Sequence, residues 1–258
     1  MFSWQATGKY LPFRARDPAA TPDFPKRIYL NQDNDRKVTM RSDSRSALFL
    51  DFDGVLVSSL EIKTNAYKRL FRSHGPNVVA QVVAHHQLNA GISRVEKIDH
   101  AHRHFLDAPY SRNAAARDVT EYACLVFEQV VSANWVPGAR EFIERHYRDV
   151  PLFIVSGTPE PELKEIVRRR NMQHFFREVL GSPRKKAEHI RALLDNYDLK
   201  AENCFFIGDA LTDYHAARDT GMPFIGIEGE AELPAGTTVL PDCTGLTAAI
   251  AEYKKRSN

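Results

Sequence analysis

The chain has 258 residues, 43% of them hydrophobic, and its 35 Lys+Arg against 33 Asp+Glu leave a formal charge of +2. That length and apolar content suit one large domain, or a core domain carrying an insert. The near balance of charge excludes the broad basic footprint of a nucleic-acid or acidic-membrane binder and leaves small polar substrates open.

Residues 1–46 are rich in Pro, Asp, Arg and Ser, as in Pro12, Pro18, Pro22, Pro25 and the run NQDNDRK, and they show no sustained period. A loosely ordered extension is expected there. It has no uninterrupted apolar segment of signal-peptide length, and no apolar run in the chain approaches ~18 residues, so a soluble, non-exported protein is expected. Cys124, Cys204 and Cys243 lie far apart without CxxC spacing, which predicts reduced thiols in the cytoplasm.

From Ala47 the pattern changes to short apolar runs: ALFLDFDG, VPLFIVSGT, EVLGS, NCFFIGDA and PFIGIEG, with TTVLPD a weaker last candidate. Gly/Ser/Asp turns and amphipathic segments such as PELKEIVRRRN and KKAEHIRALLDNY separate them. Almost wholly apolar strands alternating with helices predict a doubly wound α/β core around a parallel sheet, Rossmann-like in class. Ligands of such sheets bind beyond the carboxyl ends of the strands, where Asp51, Asp53, Ser156 and Asp209 fall.

About a hundred residues separate the first two strands, far more than the dozen or so a crossover needs. Residues 60–134 read as helices without a convincing strand, a small α-helical subdomain inserted into a core made of 47–59 and 135–258. Gly138, in VPGA, marks the return to the core.

In LFLDFDGVLVSS, Asp51 and Asp53 stand one residue apart at a strand tip, where they would repel unless a cation lay between them, and Gly54 lets the chain turn away. Asp51 can act as nucleophile and Asp53 as proton donor and acceptor; solvated acids in a DxDG turn are the plainer alternative. In FIVSGTPEPEL, Ser156, Gly157 and Thr158 precede a helix and offer a hydroxyl and backbone N–H groups to an anion, although an ordinary helix N-terminus looks the same. In GSPRKKAEHI, Lys185 and Lys186 open a helix against its dipole, which a phosphate or aspartyl-phosphate would explain, as would simple solvation. In FFIGDALTDYHAA, Asp209 and Asp213 begin a helix four residues apart and make, with Asp51, an oxygen-ligand site suited to Mg²⁺.

Asp51-Phe-Asp53-Gly54-Val55, Ser156, Lys186 and Gly208-Asp209-x-x-x-Asp213, in this order and each after an apolar strand, resemble the four motifs of the haloacid dehalogenase superfamily. The resemblance spans about Ala47 to Ile227. It implies a Mg²⁺-dependent phosphohydrolase working through a phosphoaspartate on Asp51, with Asp53 as general acid and base. Ser156 would hold the transferred phosphoryl oxygens, with Gly157 and Thr158 beside it, and Lys186, three residues after Pro183, would neutralise charge. Metal would be held by Asp51, the Asp53 backbone carbonyl and Asp209, with Asp213 in support. The second aspartate, which the dehalogenases lack, argues for phosphoryl chemistry.

An insert directly after the first motif resembles the helical cap of the subfamily containing phosphoglycolate phosphatase and β-phosphoglucomutase. Gly91-Ile92-Ser93-Arg94 is similar to the cap loop of the latter, which implies that Arg94 recognises an anionic part of the substrate. Where relatives carry an aspartate before the last Ser/Thr of the first motif, this chain has Ser58-Ser59. Lys63 on the following helix could reach the cleft, but a solvated helix face is the plainer expectation. Six of the ten histidines fall between His74 and His104; His100 and His104 share a helical face, a conceivable zinc pair, but without an acid or thiol at suitable spacing the plainer expectation is a solvated, pH-sensitive surface. The expected activity is a phosphatase for a small phosphorylated metabolite, a sugar phosphate or a phosphoglycolate-like acid. Its alternatives are a sugar phosphomutase and a non-catalytic binding protein of the same fold. The sequence leaves the oligomeric state open.

Overall fold

A computed structural model describes residues 46–257. The extension expected over 1–46 lies, except for Ser46, outside the described residues. Six strands form one parallel sheet in the order β3-β2-β1-β4-β5-β6: β1 (Leu48–Leu50), β2 (Leu152–Pro159), β3 (Glu178–Ser182), β4 (Phe205–Gly208), β5 (Phe224–Ile227) and β6 (Val239–Leu240). Each sits on one of the expected apolar runs, the weak last candidate included.

The sheet is apolar on both faces because its strand residues alternate between two cores. Leu48 and Leu50, Leu152 and Ile154, and Phe205 and Ile207 enter one buried cluster. Phe49, Phe153, Val155 and Phe206 enter the other. The first is covered by α5 (Ala139–His146), α6 (Glu160–Arg169) and α9 (Leu246–Ser257). The second is covered by α7 (Lys186–Asn196) and α8 (Leu211–Asp219). On α6, Leu163, Ile166 and Val167 are buried, each contributing about 1.5–3 kcal/mol of burial. Helices on both faces make this the expected doubly wound class; α9 is the element that the sequence pattern does not announce. In register, β1 pairs with β2 on one side and β4 on the other. Chain order reverses beside β1, and the crevice at that switch point opens at its carboxyl end.

Between β1 and β2 lie α1 (Leu60–Leu70), α2 (Pro76–Leu88), α3 (Arg94–His104) and α4 (Arg112–Ser132). Tyr67, Tyr122, Ile98, Val126 and Phe71 are buried among them, as the apolar spacing predicts for a helical core. The outgoing and returning chains run side by side: Ser58 N–H donates to Asn134 O at 2.9 Å and Val136 N–H to Leu56 O at 3.1 Å. Arg170, just past α6, ties the end of α4 to the elements beside the sheet. Its Nη1 donates to Val130 O (3.0 Å), Val131 O (2.8 Å) and Ala133 O (2.7 Å), carbonyls at the end of α4 where intrahelical donors run out.

Arg170→Met keeps the stem and removes those donors. Charge-assisted hydrogen bonds of this kind are worth about 1.5–3 kcal/mol, so the variant should unfold at a lower urea midpoint with an unchanged slope in a denaturation series.

Candidate active site

β1 ends at Leu50, so the expectation that Asp51 and Asp53 share a face by strand alternation is corrected. Residues 52–57 coil back instead, with the N–H groups of Leu56 and Val57 both donating to Phe52 O at 3.0 Å and Gly54 N–H to Val57 O at 2.9 Å. This coil brings both carboxylates to one cavity. Gly54 is held at φ +78°, and a Cβ there would lie 2.5 Å from Asp209 Oδ2, so both backbone conformation and space demand glycine.

Asp51 Oδ1 accepts the Phe52 N–H at 2.6 Å, and Oδ2 accepts from Lys186 Nζ at 2.8 Å. The same ammonium donates to Asp213 Oδ1 at 2.5 Å, while Asp213 Oδ2 takes the Ala210 N–H at 3.1 Å at the start of α8. Of the two lysines opening α7, Lys186 is buried against these acids and Lys185 is exposed. Burial alone would lower the Lys186 pKa, but Asp213 and Asp51 outweigh it and hold it above the ordinary lysine value.

Asp51, Asp209 and Asp213 bring carboxylate oxygens within 4.8 Å of one another. Burial, then Asp51 and Asp213, pushes Asp209 well above the usual carboxylate range. Burial likewise raises Asp213, to about 7, against the pull of Lys186. One ammonium cannot balance three carboxylates in such a place, and an all-oxygen donor set with excess negative charge fits a hard divalent cation such as Mg²⁺.

The Asp53 carboxylate lines the same cavity but is not part of that cluster. Its Oδ1 accepts from Ser59 Oγ at 2.6 Å and its Oδ2 from Thr158 Oγ1 at 2.8 Å, and it is ion-paired to Lys63. Burial by itself would raise its pKa, but Lys63 and these hydrogen bonds leave it lowered. Lys63, read from sequence as a solvated helix residue, is therefore corrected: its side chain is 16% exposed and also donates to Thr158 Oγ1 at 2.9 Å. The hydroxyl of Thr158, expected to serve the substrate, is spent between Lys63 and Asp53. Ser59, the last residue of the first motif, donates to Asp53 and makes no side-chain cap on the helix; Ser58, where the sequence departs from its relatives, is exposed and donates through Oγ to Trp135 O at 3.4 Å.

Ser156 and Gly157 line the same cavity as Asp51, Asp53, Thr158, Asp209 and Arg94. Ser156 Oγ accepts the Thr158 N–H at 3.2 Å. Arg94, the first residue of α3 and buried, donates through Nη2 to Glu162 Oε1 at 2.5 Å and lies 5.0 Å from the Tyr122 ring centroid. Its Nη1 is buried without a partner among the described residues. The loop before α3 lies against the core: Thr212 Oγ1 donates to Ala90 O at 3.1 Å, and a Cβ on Gly157 would run into the Gly91 carbonyl. The cavity between these walls is about 50 Å³, too narrow for a polymer.

Tyr67, His86, Lys97, Tyr122 and Glu230 also line the cavity; the sequence pattern reads the two tyrosines as helical core and His86 as surface, and does not single out Lys97 or Glu230. Glu230 follows β5, at the same edge of the sheet as the recognised motifs, so the strand-end rule was the signal available. His86 and His102 are buried, the latter with Nε2 2.7 Å from Asp118 Oδ2, so the solvated histidine surface is corrected for these two. His100 and His104 do approach, with ring centroids 4.4 Å apart. Among the described residues, however, only Asp51, Asp209 and Asp213 group as three or more metal-capable side chains.

The family model for haloacid dehalogenase-like hydrolases matches residues 48–227. The chain belongs to this family. It is 25% identical over 181 residues to the phosphoglycolate phosphatase of Aliivibrio fischeri, covering 66% of this chain and 78% of that one. A phosphorylated carbohydrates phosphatase of Thermotoga maritima is 24% identical over 206 residues, 75% of this chain and 93% of its own. The β-phosphoglucomutase structure from Clostridium difficile superposes with a TM-score of 0.66 at 16% identity, covering 80% of this chain and 97% of that chain, a likeness of fold alone. No helix among the described residues is long and apolar enough to cross a membrane.

Protons compete with a cation for Asp209 and Asp213, whose folded pKa values stand above the unfolded 3.8. Below about 7 the proton on Asp213 must be displaced before an ion binds. The rise in melting temperature caused by Mg²⁺ should therefore be larger at pH 8 than at pH 5.5 in thermal denaturation scans; an equal rise at both would refute the assignment.

Proposed function

We propose that the protein is a cytoplasmic, Mg²⁺-dependent phosphatase of a small phosphorylated metabolite, a sugar phosphate or a phosphoglycolate-like acid, acting through a phosphoaspartate on Asp51. One observation carries the reading: Asp51, fixed by Lys186 and the Phe52 N–H, opens on a cavity that Asp53 reaches from the next turn of chain. Two carboxylates with different partners suit two different jobs.

An Asp51 oxygen attacks phosphorus as the ester P–O bond breaks, and the departing oxygen takes a proton from Asp53. A water then attacks the phosphoaspartate, gives its proton to Asp53 and releases phosphate, restoring the Asp51 carboxylate. With Lys63 in place Asp53 is ionised, which suits the second step. To serve the first it must take up a proton and part from Lys63.

Lys186 offsets charge on Asp51 as phosphorus is transferred, and the Ser156 hydroxyl with the backbone N–H groups after β2 can hold the phosphoryl oxygens. Asp51, Asp209, Asp213 and the Asp53 carbonyl would hold Mg²⁺, which when bound neutralises the phosphoryl oxygens. Arg94 Nη1, buried and unpaired, is positioned for an anionic group of the substrate. The helical insert acts as the lid over the reaction. The family relationship and the relatives' activities support this reading, and the free, buried Cys204 and Cys243 suit a reducing compartment.

A sugar phosphomutase would use the same Asp51 chemistry and return phosphorus to a sugar hydroxyl. Phosphate should be released from a sugar phosphate with no bisphosphate activator present, which the mutase reading forbids. Asp51→Asn should lower that release by roughly 10³-fold or more while leaving the fold intact. Turnover surviving in this variant would remove Asp51 from the mechanism.

A further inference from the structure

We infer that His86 and Glu230 form a subsite for one hydroxyl group of the substrate, which accepts from His86 Nε2–H and donates to Glu230 Oε2. It rests on the phosphate-ester reading above and narrows it to hydroxylated esters. Two of the buried side-chain atoms left without a partner among the described residues are His86 Nε2 and Glu230 Oε2, and both residues line the cavity that holds Asp51 and Arg94. They stand 3.7 Å apart. That is too long for a hydrogen bond and short enough for one oxygen to touch both.

Each group is locked by its other end. Glu230, in the loop after β5, accepts from Thr64 Oγ1 of α1 at 2.7 Å through Oε1. His86, on α2, has Lys97 Nζ of α3 at 2.9 Å from Nδ1 and at 3.2 Å from its own carbonyl, and its ring lies on Tyr67 with centroids 4.5 Å apart. Lys97, whose pKa burial lowers to about 7, only donates in its ammonium form, in which Nδ1 is the acceptor and the ring proton sits on Nε2. Burial, then the Lys97 and Lys63 charges, lower the His86 pKa to about 2, so the imidazole is neutral and the pair is not an ion pair.

A fixed donor and a fixed acceptor thus face one small gap, one from the insert and one from the core. An apolar group placed there leaves both unpaired, and an anion meets the Glu230 carboxylate. A hydroxyl satisfies both with a single atom, and a site built to pair a hydroxyl rejects analogues that lack it. The third unpaired group on this cavity, Arg94 Nη1, belongs to the anion contact already described.

The test is calorimetric binding with Mg²⁺ in an Asp51→Asn background, which needs no turnover, using ribose 5-phosphate and glucose 6-phosphate against butyl phosphate. At least one sugar phosphate should bind about 10-fold or more tightly than the hydroxyl-free ester. Glu230→Gln keeps an oxygen for Thr64 but can turn an amide donor towards His86, and His86→Phe keeps the stack on Tyr67 while removing the donor. Each should collapse the affinity ratio to within about twofold of unity; if one variant fails to fold, the other decides. Equal affinities in the parent, no binding of any ester, or a ratio preserved in the folded variants would overturn the subsite. Wild-type turnover, measured separately, distinguishes the failures: binding preference without hydrolysis overturns the phosphatase reading, whereas hydrolysis without preference overturns the subsite alone.

Discussion

The Lys186 ammonium, clamped between Asp51 and Asp213, is the contact on which the rest of the site depends. Three carboxylates from two parts of the chain converge where almost no water reaches, an arrangement that mutual repulsion and desolvation both oppose. Lys186 compensates part of that cost and no more. The remainder appears as the raised pKa values of Asp209 and Asp213, which amount to stored affinity for a cation. The sheet makes this possible: β1 lies between β2 and β4, so side chains following three strands meet at one end without any strand being distorted.

The second acid is handled in the opposite way. Asp53 is surrounded by donors, Ser59, Thr158 and Lys63, and its charge is stabilised rather than crowded. Two aspartates separated by one residue thus sit in contrasting electrostatic environments. The coil after Leu50 is what separates them: a straight strand would have aimed both side chains into the same field.

Strands and core helices were legible from sequence because a two-sided parallel sheet needs nearly continuous apolar runs, and ALFL, LFIV and FFIG are too short for buried helices and too apolar for exposed loops. The acids and Lys186 were legible because a charge directly after such a run has an unusual place. Lys63, Lys97 and His86 were not, since on an amphipathic helix a cation that enters a cavity has the same periodicity as one that enters water. Which it does depends on whether another element covers that face, and here the covering elements are the loops after β2 and β5, distant in sequence. Ser59 stands at the N-cap place of α1, yet its hydroxyl donates to Asp53.

Charge is divided across the cavity by origin. Helices α1 and α3 contribute Lys63, Arg94 and Lys97, and the strand ends and α6 contribute Asp51, Asp53, Asp209, Glu162 and Glu230. Two of these cations already rest on carboxylates, Lys63 on Asp53 and Arg94 on Glu162, so these ion pairs fasten α1 and α3 to the elements around the sheet. A phosphate ester entering the cavity offers anionic oxygens to the same donors. Its binding on Lys63 would exchange one anion for another, while Arg94 still has Nη1 to offer. Selectivity under such an exchange cannot come from charge alone, because the carboxylate being displaced is itself a good partner. It has to come from groups that the resting protein leaves unsatisfied, and on this cavity those are Arg94 Nη1, His86 Nε2 and Glu230 Oε2.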